Sequence, residues 1–175
     1  GLVTVAWVRN RADEWLSAGK VDGYDLRFCS SLKSAQFLEG QGAGPCAVMP
    51  IATNPQRFRS LGRPRDPATV CFTGSYWGDQ RDALSMLEGS GIRVAVYGKG
   101  WEQVDRHRDA WRGWVPYWEL PGVYDSAAIV LDDSHPVTRQ WDSLNSRVFD
   151  AIACGAVPVT NCTGGAQELF ADLLP

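Results

Sequence analysis

The chain has 175 residues, of which 45% are hydrophobic and 21% charged, and its formal net charge is -3. This composition is typical of a globular protein with one full core or parts of two, and it excludes a disordered chain. The slight negative charge gives no support for a nucleic-acid partner. No apolar run approaches the ~20 residues of a membrane-spanning helix, so we expect no transmembrane segment.

The cysteines number five and are widely spaced, without a Cys-x-x-Cys pair or a Cys/His cluster. We therefore expect neither a zinc site nor a disulfide framework. The first eight residues also lack the basic start and cleavage pattern of a signal peptide. Together these features predict a cytoplasmic protein with reduced thiols in its core.

Strand and helix patterns alternate through the first third of the chain. Continuous apolar runs predict strands at 3–8, 24–29 and 46–52. Helices are predicted at 11–18 and from Leu32 to Gly40, the second of them with Ser30 or Ser31 as N-cap. The stretch that follows is rich in Pro, Gly and Arg, and we predict a linker at 57–67.

The same alternation continues after the linker. Strands are predicted at 69–74, 91–98, 127–133 and 156–160. Helices are predicted at 79–87 and 120–126, around 145–155, and from residue 164 onward. About seven strands separated by helices of matching length indicate an α/β fold with parallel sheets covered on both faces.

The helix around 145–155 has clear end signals. Asn145 or Ser146 is a natural N-cap, and Gly155 stands where a left-handed C-cap is needed. We predict a buried strand directly after this glycine. An apolar stripe at helical spacing is formed by Val148, Phe149 and Ile152.

Two charged residues, Arg147 and Asp150, lie one turn apart on the other face of this helix, near its positive end. Helix amides and an arginine suit a phosphate, and a carboxylate accepts hydrogen bonds from sugar hydroxyls. A nucleotide sugar carries both groups. The alternative is an ordinary helix-stabilising pair with no ligand.

Polar or glycine residues follow several of the predicted strands. In parallel sheets ligands bind beyond the carboxyl ends of the strands, so these residues converge on one edge. They are Gly74, Lys99, Asp132, residues 142–147, Gly164 and Gly165.

Tryptophan is abundant, with eight residues in the chain. Four of them fall close together: Trp101, Trp111, Trp114 and Trp118. Such a cluster indicates either a surface that contacts a sugar or a partner, or a small satellite core. The sequence leaves both open.

The segment 145–160 reads Asn-Ser-Arg-Val-Phe-Asp-Ala-Ile-Ala-Cys-Gly-Ala-Val-Pro-Val-Thr. It resembles the acid-(A/G)-x-A-C-G-x-P-V segment of group-1 glycosyltransferases of the GT-B fold. Its Asn-x-Arg-x-Phe-acid form is similar to the spore-maturation, CgeB-like branch, which is bacterial. Residues 164–168 match the Gly-Gly-x-x-Glu turn of these enzymes, and upstream positions such as 72–74 and 97–100 match their strand-end loops.

In that family two Rossmann-like domains face each other, and the C-terminal one holds the donor. The resemblance therefore implies three parts of this chain. Residues 1–56 are the C-terminal part of an acceptor-side α/β domain, the rest of which is missing. Residues 57–67 are the linker, and 68–175 are a nucleotide-sugar-binding Rossmann-like domain truncated at its C-terminus.

The resemblance also implies roles for single residues. Asp150 holds the ribose, in place of the family's usual glutamate, and the helix start at Ser146 and Arg147 faces the diphosphate. Asp142, eight positions before Asp150, imitates the family's first acid near the donor sugar and is the catalytic candidate. The implied donor-binding residues are Gly74, Arg81, Lys99, Tyr117, Asn145, Ser146, Arg147, Asp150, Gly164 and Gly165.

The reaction implied is transfer of a sugar from a nucleotide diphosphate sugar to a hydroxyl or amine of a glycan, protein or small molecule. We expect no metal and no cofactor. His135, in a loop near the proposed donor, is a weaker candidate for a general base. Alternatives are a non-catalytic nucleotide-sugar-binding module, a sugar epimerase of the same build and, least favoured, a phosphoacceptor receiver domain.

Overall fold

The computed structural model describes residues 1–171. Within them lie seven strands and seven α-helices, mostly in alternation, and two short 3-10 turns, Trp101–Gln103 and Asp105–His107, follow the fifth strand. In chain order the elements are β1 (Val5–Val8), α1 (Ala12–Ser17), β2 (Leu26–Cys29), α2 (Leu32–Gly40), β3 (Ala47–Val48), β4 (Val70–Thr73), α3 (Asp82–Met86), β5 (Val94–Tyr97), α4 (Leu120–Ser126), β6 (Ile129–Asp132), α5 (Pro136–Arg139), α6 (Ser146–Ala153), β7 (Val157–Thr160) and α7 (Thr163–Phe170).

The strands form two sheets, ordered β1-β2-β3 and β5-β4-β6-β7, and every pairing is parallel. This confirms the predicted α/β fold with Rossmann-like parallel sheets. The strands are shorter than the apolar runs that predicted them. The short helix α5 was not predicted; Pro136 occupies its first turn, and the His135 side chain accepts from the Val137 amide at 3.3 Å.

The chain folds into two compact units. The first unit contains Gly1–Ile51, Ser134–Leu144 and the segment that begins at Cys162. The second contains Ala52–Asp133 and Asn145–Asn161. The sequence divided the chain at 57–67 instead, and that domain assignment stays a prediction; its last residues, 172–175, lie outside the described part of the chain.

The first unit has its core on the sheet β1-β2-β3. Val8, Cys29 and Leu38 have no exposed surface there, and Trp141 packs against the same cluster. Helix α2 begins as predicted, because the Ser31 side chain accepts a hydrogen bond from the Ser34 amide at 3.2 Å.

The second unit is covered on both faces of its sheet, as successive residues of β4 show. Cys71 packs with helices α4 and α6, whereas Phe72 packs with α3 and the buried Trp101. Side chains alternate between the two faces of a strand, so both helical layers need an apolar partner on this one strand. No helix in residues 1–171 has the length and apolar character needed to cross a membrane.

Two predictions about burial are wrong at this sheet. Strand β7 is an edge of the sheet rather than a buried strand, and its Val157 and Val159 are more than half exposed. Helix α6 packs through Val148 and Ala151, which lie three residues apart, while Ile152 of the predicted stripe is exposed. The prediction took apolar residues alone as the buried face. The buried face also contains Asp150, although this residue is charged.

Residues 57–67 pack within the second unit. Phe58 has no exposed surface, and Arg65 donates to backbone oxygens of Asp125 at 2.7 Å, of Gly155 at 2.8 Å, and of Cys154. Gly155 has a φ of 78°, as predicted for a left-handed C-cap. Arg65 thus satisfies carbonyls at the end of α6, where a cation also complements the helix dipole.

Gly98, directly after β5, has a position that only glycine tolerates. Its φ is 149°, and a Cβ atom there would overlap the carbonyl of Gly74. We expect Gly98→Ala to lower the free energy of unfolding by more than ~1 kcal/mol, since alanine is incompatible with this conformation. Urea unfolding measures the loss. Gly122→Ala is the control, because the space around Gly122 in α4 is open; equal midpoints for the two variants would contradict this account.

Candidate functional site

A cavity of about 220 Å³ lies within the second unit, beyond the carboxyl ends of β4 and β5 and beside the start of α6. Five residues predicted for donor binding line it: Gly74, Tyr117, Ser146, Arg147 and Asp150. Sequence reasoning did not assign Thr73, Gly98, Trp114 and Tyr124, which line it as well.

A larger depression of about 660 Å³ lies at the opposite, amino end of the strands, lined by stretches such as Asp66–Cys71 and Gly91–Ala95. We place the candidate site in the smaller cavity. Ligands of parallel α/β sheets bind at the carboxyl ends of the strands, and there a cationic and an anionic side chain converge.

Asp132, the last residue of β6, has no exposed surface. Its Oδ1 accepts from Asn145 Nδ2 at 2.9 Å and from Arg147 Nη1 at 2.6 Å, and its Oδ2 accepts from Thr160 Oγ1 at 2.8 Å. Asn145 occupies the N-cap position of α6, but its side chain makes no capping hydrogen bond. The Asn145 side chain thus pairs with Asp132 through its amide nitrogen and does not cap α6 as predicted.

Arg147 is held by two of its three guanidinium nitrogens. Nη1 pairs with Asp132, and Nε donates to Thr73 Oγ1 at 3.1 Å, a hydroxyl that also contacts the Tyr124 hydroxyl at 2.6 Å. The guanidinium lies 5.1 Å above the ring of Phe72. The third nitrogen, Nη2, has no hydrogen-bond partner in residues 1–171 and would be 3.1 Å from a Cβ atom on Gly74. Nη2 is therefore the nitrogen available to a ligand.

Asp150 is 3% exposed and lines the same cavity from the second turn of α6. Its Oδ1 accepts a hydrogen bond from Thr53 Oγ1 at 2.5 Å. Burial raises the pKa of this carboxyl above its usual value, and the Thr53 hydrogen bond and the charge of Arg147 oppose that rise. Thr53 and Arg147 both favour the ionised form of Asp150, and an ionised carboxylate is suited to accept a hydrogen bond from a ligand hydroxyl.

The two other predicted cations do not line the cavity. Arg81 is nine-tenths buried, donates through Nη2 to the Ser75 carbonyl at 3.1 Å, and lies 5.9 Å from the Phe72 ring. Burial lowers the pKa of Arg81, and the charge of Asp133 raises it. Lys99 is exposed, with Nζ 4.9 Å from the ring of Trp114 at the rim of the cavity.

Asp142, Gly164 and Gly165 belong to the first unit. Asp142 has a φ of 53° and lies 3.4 Å from Lys33 Nζ. A Cβ atom on Gly164 would overlap the Asp142 carboxylate, and one on Gly165 would overlap its backbone oxygen. The two glycines therefore allow close approach to Asp142. The roles predicted for these three residues toward a donor stay predictions.

The tryptophan cluster divides between the two possibilities that the sequence left open. Trp101 is 1% exposed and Trp111 packs against the same core, whereas Trp114 and Trp118 are more than half exposed. Trp101 Nε1 donates to the Gly74 carbonyl at 2.6 Å and so fixes the backbone of the cavity. Tyr117 is half exposed, and the guanidinium of Arg57 lies 5.5 Å from its ring.

Sequence reasoning missed Thr53, which lies 97 residues before Asp150, so no local pattern connects them. Thr73 and Asp132 each end a strand, and the sequence marked both by that position without assigning either a role in donor binding. In the described part of the chain, no three His, Cys, Asp or Glu side chains are grouped as metal ligands would be.

Comparison with known proteins identifies a family for the chain. A family model described as glycosyl transferase-like matches residues 79–173, more than half of the chain. The match includes α6 with Arg147 and Asp150 but does not extend to Thr53. No curated protein matches the chain.

The pair formed by Asp132 and Arg147 is expected to carry much of the stability of the second unit. Asp132→Asn leaves a largely buried guanidinium without its counter-charge, which lowers the free energy of unfolding by about 3 kcal/mol. Asp105→Asn is the control, since Asp105 also pairs with an arginine but is exposed. Urea unfolding of both variants measures the difference; similar small losses would show that Asp132 is not a stabilising centre.

Asp150→Asn is expected to stabilise the fold at pH 7. Since the folded pKa is raised, the ionised carboxylate weakens the folded state at neutral pH. The folded protein binds a proton first as pH falls, so the advantage of the variant shrinks toward the usual carboxyl pKa of 3.8. Thermal melts between pH 7 and 4 follow this difference, with the exposed Asp109→Asn as control. A variant less stable than the unmodified chain at pH 7 would contradict the assignment.

Proposed function

Since the chain belongs to the glycosyl transferase-like family, we propose that it transfers a sugar from a nucleotide diphosphate sugar to an acceptor. The observation that supports this proposal is the cavity at the start of α6. Arg147 and Asp150, three residues apart, both line it, so a cation and an anion face one small space. A nucleoside diphosphate offers an anionic diphosphate and a ribose with hydroxyl donors.

In this proposal the diphosphate lies against Arg147 and the amino end of α6. A helix amino end carries partial positive charge, and an arginine makes charge-assisted hydrogen bonds to phosphate oxygens. Negative charge develops on the leaving diphosphate as the bond to the sugar breaks. Groups that stabilise this charge accelerate the transfer, and Nη2 of Arg147 is already oriented by Asp132 and Thr73.

The ribose lies against Asp150, whose carboxylate accepts a hydroxyl hydrogen bond. The base lies toward Tyr117 and Trp114, whose exposed rings at the cavity provide stacking surfaces. The family resemblance extends the proposal to a GT-B enzyme of the CgeB-like branch, bacterial and cytoplasmic. Two separate parallel sheets, each in its own compact unit, support a two-domain organisation. The resemblance adds the bounds of this proposal, with 1–56 on the acceptor side and 68–175 on the donor side.

The acceptor in this proposal is a hydroxyl or amine of a glycan, a protein or a small molecule. The mechanism that we propose uses no metal and no cofactor, and the nucleotide sugar is the substrate. Asp142 would act near the donor sugar, and Arg81 and Lys99 would add positive charge around the diphosphate.

One observation favours a second candidate, a module that binds a nucleotide sugar without turning it over. The groups that line the cavity are suited to binding, and the predicted catalytic acid Asp142 is not among them. Release of nucleoside diphosphate from the donor, with and without acceptors, separates the two candidates.

Binding of nucleoside diphosphates tests the site. Calorimetric titration with UDP, GDP, ADP and TDP selects the preferred base, and Arg147→Lys and Asp150→Asn are then compared with the unmodified chain. We expect each variant to bind at least tenfold more weakly, because a hydrogen bond to a charged group contributes about 1.5–3 kcal/mol.

Arg108→Lys and Asp109→Asn repeat these two changes at exposed positions of the second unit and should bind normally. Thermal melts show whether each variant is folded. Nucleotide affinity that both site variants retain in full would overturn the proposed site.

A further inference from the structure

Thr53 brings a hydroxyl group to the back of the candidate site. Its Oγ1 contacts Asp150 Oδ1 at 2.5 Å. An ionised carboxylate only accepts hydrogen bonds, so the hydroxyl proton of Thr53 points to Asp150. Thr53 lies outside the region that the family model matches, which begins at residue 79. The hydrogen bond therefore joins a residue outside the matched region to Asp150 inside it.

The two oxygens of Asp150 have different surroundings. Oδ1 is bonded to Thr53, whereas Oδ2 has no hydrogen-bond partner in residues 1–171 and is not fully enclosed. The residue is 3% exposed and lines the cavity. The surface that remains therefore belongs to the side of the carboxylate that faces the cavity. Oδ2 is the oxygen with room to accept a hydrogen bond from a ligand hydroxyl.

The segment after Thr53 is packed into the second unit. Phe58, five residues later, has no exposed surface and belongs to the core cluster that contains Ala151 of α6. Further along the same segment, Arg65 donates to the carbonyls of Cys154 and Gly155, directly after α6, the helix that carries Asp150. The segment that carries Thr53 is thus bonded to the end of the helix that carries its acceptor.

We propose that Thr53 is a specificity-determining positioning residue, which by its hydrogen bond to Oδ1 turns the Asp150 carboxylate so that Oδ2 accepts one ribose hydroxyl of the nucleotide. A carboxylate with both oxygens open accepts both hydroxyls of a ribose, one on each oxygen. A carboxylate oxygen can accept two hydrogen bonds, so it is the orientation that Thr53 imposes that matters: its bond to Oδ1 fixes the carboxylate plane so that Oδ2 is the oxygen presented to the cavity. This inference rests on the proposed function, since it assumes that a nucleoside diphosphate occupies the cavity.

The test compares three probes: the preferred nucleoside diphosphate and its 2′-deoxy and 3′-deoxy forms. Calorimetric titration of the unmodified chain should show a loss of at least tenfold for one deoxy form and less than twofold for the other. Thr53→Val removes the hydroxyl at nearly constant volume and opens Oδ1. In that variant both deoxy forms should bind at least fivefold more weakly than the parent nucleotide.

Thr53→Ser keeps the hydroxyl and should keep the unequal pattern, and Thr53→Ala replaces Thr53→Val if thermal melts show the valine variant unfolded. Equal losses for the two deoxy forms in the unmodified chain overturn the inference, as does an unequal pattern that survives removal of the hydroxyl. Failure of the proposed function is distinguishable, because then the parent nucleotide either does not bind or binds equally well to Asp150→Asn.

Discussion

The buried carboxylate of Asp132 is the constraint on which the second unit depends. A carboxylate without exposed surface is costly unless it is paired and fully hydrogen-bonded. Here the partners come from two different segments: Asn145 and Arg147 at the start of α6, and Thr160 at the end of β7. Satisfying one charge therefore fixes the start of a helix against the ends of two neighbouring strands. The candidate site lies where this fixed geometry reaches solvent.

The two charged side chains that line the cavity are each hydrogen-bonded to the protein through some of their polar atoms and leave one atom open. Arg147 is bonded through Nη1 and Nε and leaves Nη2 open, and Asp150 is bonded through Oδ1 and leaves Oδ2 open. Each side chain is oriented by the protein before a ligand arrives, which lowers the cost of ordering it on binding. Burial of Asp150 works against stability, as its raised pKa indicates. A carboxylate retained at such a cost is typical of a functional position.

The candidate site lies partly inside and partly outside the region that matches the glycosyl transferase-like family. The family match covers residues 79–173 and so includes α6. The site also uses Thr73 and Thr53, which precede that region. Gly98 belongs to the matched region, and its positive φ lets the backbone after β5 approach Gly74. The cavity thus combines family positions with residues from outside the matched region.

Local patterns determined much of the fold and part of the site. Apolar runs and end signals predicted every strand, the parallel sheets, the Gly155 cap, and a helix that carries Arg147 and Asp150 one turn apart, because these features depend on neighbours in sequence. Only the tertiary structure made β7 an edge strand, turned the Asn145 side chain to Asp132, and brought Thr53 to Asp150 across 97 residues. Such partners are set by how the whole chain compensates its buried charges, and no short stretch of sequence contains that information.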